Sequence, residues 1–145
     1  MSTTPSIFLL ASAALLGVAC ATPVPMTDPA ASGSLVSSLQ VEPSREKVHF
    51  VYQVTNVSAN AVPLTFPSGQ SFDVVVTAAG QERWRWSADR AFTQAVRDEP
   101  IPPGETVRFT AEWAPPPGTT GDLVARAYLS AMENRAEQQT AFRLP

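Results

Sequence analysis

Apolar and polar positions alternate with a period of two along much of the chain after residue 35. In residues 46–56, Val48, Phe50, Tyr52 and Val54 alternate with His49, Val51, Gln53 and Thr55, the pattern of a strand with one face on a core. Val107, Phe109, Ala111 and Trp113 repeat it against Arg108, Thr110 and Glu112. Residues 66–86 between them read as turn, strand, turn, strand. Pro67, Ser68 and Gly69 supply the first turn and Gly80 the second. Phe72, Val74 and Val76 share one face of the first strand, with Asp73 and Val75 on the other. Beyond Gly80, Trp84 and Trp86 alternate with Arg83 and Arg85, which predicts an aromatic face and a cationic face.

Further strands are predicted over 35–43, 62–66, 123–130 and 139–144. Pro63 favours an edge position, and Asn56, Ser58, Ala59 and Asn60 read as a turn. Residues 88–97 read as a helical turn capped by Ser87, with Phe92 and Val96 facing the core. About 7–8 short strands separated by turn signals predict an all-β, immunoglobulin-like antiparallel β-sandwich.

The N-terminus has a different pattern. Residues 7–19 are apolar and uncharged, long enough for the core of a signal peptide and short of the ~20 residues that span a bilayer. Cys20 follows directly, behind Gly17, Val18 and Ala19, which looks like a bacterial lipobox, although Gly17 stands where that motif usually has Leu. An ordinary cleavage site and a buried N-terminal helix are the lesser readings. Residues 1–20 are therefore read as a signal peptide with Cys20 as its lipidation site, and 21–34 as a flexible tether. Residues 35–145 are the domain. On this reading the protein is exported and meets a membrane through its lipid anchor only.

Composition narrows the chemistry. The chain has 145 residues, enough for one domain, with one Cys, one His and a net charge of -3. No cluster of Lys and Arg suggests nucleic acid. A zinc site needs several His or Cys ligands, and His49 and Cys20 do not supply them. Asp73, Glu82, Asp89 and Asp122 are too scattered for an ordered calcium loop. His49 reads as a solvent-facing strand residue rather than a triad base, and no Gly-x-Ser-x-Gly elbow is present. Asp73 interrupts an apolar strand, which suggests pairing with Arg83 or Arg85 across the hairpin. Trp84, Trp86 and Trp113 read as core rings in preference to a ligand platform. No cofactor and no catalytic residue are implied.

The motifs from Val54 to Trp113 carry a resemblance. Val54-Thr55-Asn56, Leu64-Thr65-Phe66-Pro67-Ser68-Gly69-Gln70-Ser71-Phe72-Asp73-Val74, Gly80, Glu82, Trp84-Arg85-Trp86-Ser87, Phe92, Pro103-Gly104-Glu105, Phe109 and Trp113 resemble the intracellular proteinase inhibitor (BsuPI) family. The resemblance implies an immunoglobulin-like sandwich that binds rather than catalyses, and inhibition of serine proteases. Phe72, Asp73, Trp84, Trp86 and Trp113 belong to its signature and read as structural. With the export signal, the implied partner is an extracytoplasmic serine protease or, alternatively, another envelope protein met by an assembly module. No family motif marks an inhibitory loop, so physics ranks the loops: an exposed segment held rigid loses little entropy on binding, and proline stiffens it. The candidates are 97–103, with Arg97, Pro100 and Ile101, and 114–121, with Pro115, Pro116 and Pro117. Residues 67–71 come third.

Overall fold

Ten strands and their connecting turns make up the described residues, 30–145, of the computed structural model. They are β1 (Ala30–Ser32), β2 (Leu35–Pro43), β3 (Val48–Asn56), β4 (Thr65–Phe66), β5 (Phe72–Ala78), β6 (Gln81–Arg85), β7 (Arg97–Asp98), β8 (Thr106–Trp113), β9 (Gly121–Leu129) and β10 (Glu137–Leu144). One antiparallel sheet has the order β1-β2-β3-β8 and a second the order β10-β9-β5-β6, with β4 and β7 as a two-stranded flap. The predicted period-2 runs are these strands, and β3 shows the alternation plainly, every second residue being buried.

The two sheets face each other across an aromatic interior. Phe50 stacks on Trp84 at 5.7 Å between ring centroids, Trp84 on Trp113 at 5.9 Å, and Phe142 meets Phe50 edge-on. A second run passes from Tyr52 through Phe109, Phe72 and Trp86 to Phe92, with its closest step, Phe72 to Trp86, at 4.3 Å. Offset ring pairs of this kind add about 0.5–1.5 kcal/mol each beyond their buried area. Along one side the sheets are tied by hydrogen bonds: the Ser37 hydroxyl donates to the Glu137 carbonyl and the Thr140 hydroxyl to the Leu39 carbonyl. The buried Tyr52 hydroxyl donates to the Ala136 carbonyl at 2.6 Å.

The structure departs from the sequence reading in four places. Residues 88–97 hold no helical turn: the chain turns at 86–89, runs irregularly, and enters β7. Phe92 packs on Trp86 as anticipated, whereas Val96 is exposed. Ser87 does not cap a helix, because its hydroxyl and amide are both held by Asp73. Asn56 lies at the buried end of β3, not in an open turn. Its side-chain amide donates to the carbonyls of Asn60 and Ile101, and its oxygen accepts from Ser58. Finally, Ala30–Ser32 pair with Leu35–Ser37 as an edge strand within the stretch read as tether; residues 1–29 lie outside the described residues.

Both faces of β5 are covered. Phe72, Val74 and Val76 point into the interior, and Asp73 and Val75 on the opposite face are also buried. The register sets Val75 between Arg85 of β6 and Arg126 of β9, where arginine stems shield apolar surface while their heads reach water.

Candidate protein-binding loop

Asp73 explains how the central hairpin is fixed. Its Oδ1 accepts from the amides of Val74 (2.9 Å) and Ser87 (3.1 Å), and its Oδ2 from the Ser87 hydroxyl (2.6 Å) and Arg85 Nη1 (3.1 Å). The Tyr128 hydroxyl stands 3.4 Å away and accepts from Arg85. The expected Asp73–Arg85 pairing is therefore present. Arg85 also grips Glu82 at 2.7 Å. Hydrogen bonding to Glu82 first, and to Asp73 and Tyr128 after it, holds the guanidinium above its ordinary pKa against the opposing effect of burial. The same bond holds Glu82 below the usual carboxylate range. Arg83 is outside this network, at a register shift between the Val76–Trp84 and Thr77–Glu82 pairs. Trp84 and Trp86, two residues apart beyond that bulge, share the inward face.

Trp113 is buried, and Trp84 and Trp86 pack against the core. The tryptophans thus serve the interior, as the alternation predicts. His49 lies on the outer side of β3, half exposed, with Nδ1 at 3.2 Å from Glu112. Lys47 holds Glu112 below the usual carboxylate range.

The three proline-bearing segments differ sharply in freedom. In 97–103, Ile101 is buried and exchanges both backbone hydrogen bonds with Val62, so it is a core residue and not a presented one. Pro100 is exposed, but the Glu99 amide beside it is tied to the Leu64 carbonyl. Arg97 stacks on Phe66, bonds Ser68 and Ser71, and pairs with Glu99. Residues 67–71 rest against residue 93: the Gly69 amide donates to the Thr93 carbonyl, and a Cβ on Gly69 would fall 2.6 Å from Thr93 Oγ1.

The loop 114–120 is free by contrast. Pro116, Pro117, Gly118 and Thr120 are exposed, and Pro115 is partly covered. The Pro116 carbonyl accepts from the Thr119 amide at 3.1 Å and from its hydroxyl at 2.7 Å. Proline fixes φ at residue 117 and Gly118 has φ +85°, the arrangement of a type II turn that only glycine adopts without strain. Its base is Trp113, anchored in the aromatic stack described above. Shallow grooves of about 390 and 400 Å³ flank it. Arg45 lines one and Arg83 the other. Arg45 carries no signal in the sequence, and Arg83 reads there as part of a cationic face and a possible partner of Asp73, because each meets the loop only through the fold.

The motif order seen in the sequence is matched at family level. Residues 35–138, more than half of the chain, match the family described as "Intracellular proteinase inhibitor" (BsuPI). No curated protein matches significantly. Among solved structures, a β-glucosidase of Erythrobacter marinus is 15% identical over 74% of this chain and 15% of its own, with a TM-score of 0.41. The penta-heme cytochrome c552 of Thermochromatium tepidum is 13% identical over 77% and 40%, with a TM-score of 0.48. The sporulation control protein Spo0M of Bacillus subtilis is 15% identical over 78% and 49%, with a TM-score of 0.44. The chain spans less than half the length of each of these proteins.

The family description overturns one expectation. It names an intracellular inhibitor, which conflicts with an exported lipoprotein and with a partner outside the cytoplasm or in the envelope. Residues 7–19 and Cys20, on which that expectation stood, lie outside the described residues. A short apolar run before a lone cysteine is a low-information pattern, outweighed by a match across residues 35–138, most of the sandwich. With its sandwich, its Asp73-centred hairpin and its matched residues, the chain belongs to the intracellular proteinase inhibitor (BsuPI) family.

Proposed function

We propose that this protein is a non-catalytic inhibitor of a serine proteinase and that it meets its target through the turn at 115–120. The observation that carries the reading is that turn: convex, exposed, and stiff without help from a partner. Three successive prolines, a left-handed glycine and the doubly bonded Pro116 carbonyl leave it little freedom to lose. Each side chain or loop segment that needs no ordering spares a cost which otherwise subtracts from affinity. The other two proline-bearing segments are engaged by the domain itself, through Val62 and Leu64 for 97–103 and through Thr93 for 67–71.

The test titrates subtilisin and trypsin with the full chain, following residual activity and the mass of the inhibitor. The expected result is stoichiometric loss of activity, with the chain intact or cut only within 115–120. Replacing Pro115–Gly118 by a Gly/Ser linker abolishes inhibition while the urea midpoint shows the sandwich still folded. Absence of inhibition, or full inhibition by the linker variant, refutes the proposal.

A further inference from the structure

Each groove beside the turn has one charged side chain in its lining, and in both it is an arginine. Arg45 stands at the tip of the turn between β2 and β3, on the side of the loop that also faces Leu144. That turn is closed by Ser44, whose amide and hydroxyl both donate to the Lys47 carbonyl at 2.8 and 2.6 Å. Arg83 occupies the bulge of β6 on the other side, next to Trp113 and Leu123. Neither arginine has an ion-pair partner among the described residues.

The carboxylates of this end of the sandwich are mostly committed elsewhere. Asp122 pairs with Arg143 at 3.4 Å, Glu82 with Arg85, and Glu112 with Lys47 at 3.1 Å. Glu46 follows Arg45 in the chain but lines neither groove. The remaining lining is serine, proline, glycine, threonine and apolar side chains. A neutral, rigid ridge thus stands between two unpaired guanidinium groups in a protein whose net charge is -3. Unpaired arginines on opposite sides of a ridge favour a surface with carboxylates on both sides of a recess, since guanidinium recognises carboxylate through paired donors.

We propose that Arg45 and Arg83 form a cationic bracket around the turn and select proteinases whose cleft is rimmed by acidic side chains. This deepens the inhibitor reading and rests on it. The bracket acts mainly on encounter, because rim charges change association rate and salt dependence more than they change dissociation.

The experiment measures association rates of the full chain with subtilisin and trypsin across a salt series. The variants are Arg45→Glu, Arg83→Glu, the double variant, and Arg108→Glu. Arg108 is an exposed, unpaired arginine on β8 that lines neither groove, so it carries the same charge change to another place. Each bracket reversal is expected to slow association about tenfold at low salt, the double variant about 100-fold with its salt slope gone, and Arg108→Glu little. The Arg45→Lys/Arg83→Lys variant retains most of the rate, and urea midpoints verify folding. Wild-type inhibition with no loss in the double variant, or an equal loss in Arg108→Glu, overturns the bracket and leaves the inhibitor reading standing. A wild type that inhibits neither enzyme removes both. Retention on a DNA duplex that the double variant abolishes would reassign the bracket and overturn its protein partner.

Discussion

Replacing Asp73 is the perturbation that most directly tests how the hairpin is held. The carboxylate is buried and accepts four hydrogen bonds of 3.1 Å or less, from Val74, Ser87 twice, and Arg85. Asp73→Ala leaves two main-chain amides and a hydroxyl without their acceptor. Stranded buried donors cost about 1–3 kcal/mol each, and removing one member of a buried pair about 3–5 kcal/mol. Arg85 keeps Glu82 and is partly exposed, so its share is small and the total should fall near 4 kcal/mol. Asp73→Asn is milder, about 2 kcal/mol, because its oxygen still accepts from both amides while its NH₂ faces the Arg85 guanidinium. Urea unfolding followed by tryptophan fluorescence reads both values from the shift in midpoint at constant slope. In a double-mutant cycle, Asp73→Ala and Ser87→Ala should couple by more than about 1 kcal/mol, as members of one network do. An Asp73→Ala protein within about 1 kcal/mol of wild type, or simple additivity with Ser87→Ala, would refute the hub.

Three further outcomes follow from the same geometry. Burial raises the pKa of Tyr52 well above its ordinary value, so the unfolded chain releases this proton first. Stability from this residue is complete below about pH 10 and declines as pH rises beyond it; Tyr52→Phe flattens that alkaline decline while losing the Ala136 bond, about 1 kcal/mol. Gly69→Ala places a Cβ 2.6 Å from Thr93 Oγ1 and 3.2 Å from its amide nitrogen, and should cost about 1–3 kcal/mol by urea titration; a neutral result would mean that the turn does not rest on residue 93. Acrylamide should quench the folded protein far less than the unfolded chain, because Trp113 is 4% exposed and Trp84 and Trp86 are packed on the core. Equal quenching would return the rings to a ligand platform.

Much of the sandwich is legible in the sequence because one-sided burial writes itself as alternation. β3 and β8 have one face inward, and apart from Val51 their apolar residues mark it. β5 is less readable: its outer face is buried too, by charged neighbours that come from β6 and β9, and a local period carries no trace of them. Ser87 shows a related limit. A serine ahead of a polar stretch satisfies the rule for a helix cap, yet the acceptor that claims it lies fourteen residues back. Ile101 sits among prolines that promise a loop, and its pairing with Val62 is a long-range event. At the candidate binding loop the prolines were visible, but the choice among three segments needed to know which of them the domain already occupies. The place of Arg45 and Arg83 beside that loop was invisible for the same reason. The signature polar residues Asn56, Asp73 and Ser87 prove to be buried or partly buried hydrogen-bond centres, so the signature records architecture.

The turn at 115–120 takes its shape from three pyrrolidine rings, a left-handed glycine and a threonine hydroxyl, in a chain with one cysteine. Thiol chemistry has no purchase on any of these. Dithiothreitol, glutathione or a change in compartment redox poise would therefore leave its geometry where it was. Loops stapled by cystine open under the same treatment. A turn built this way suits the reducing conditions under which a disulfide-braced design would slacken.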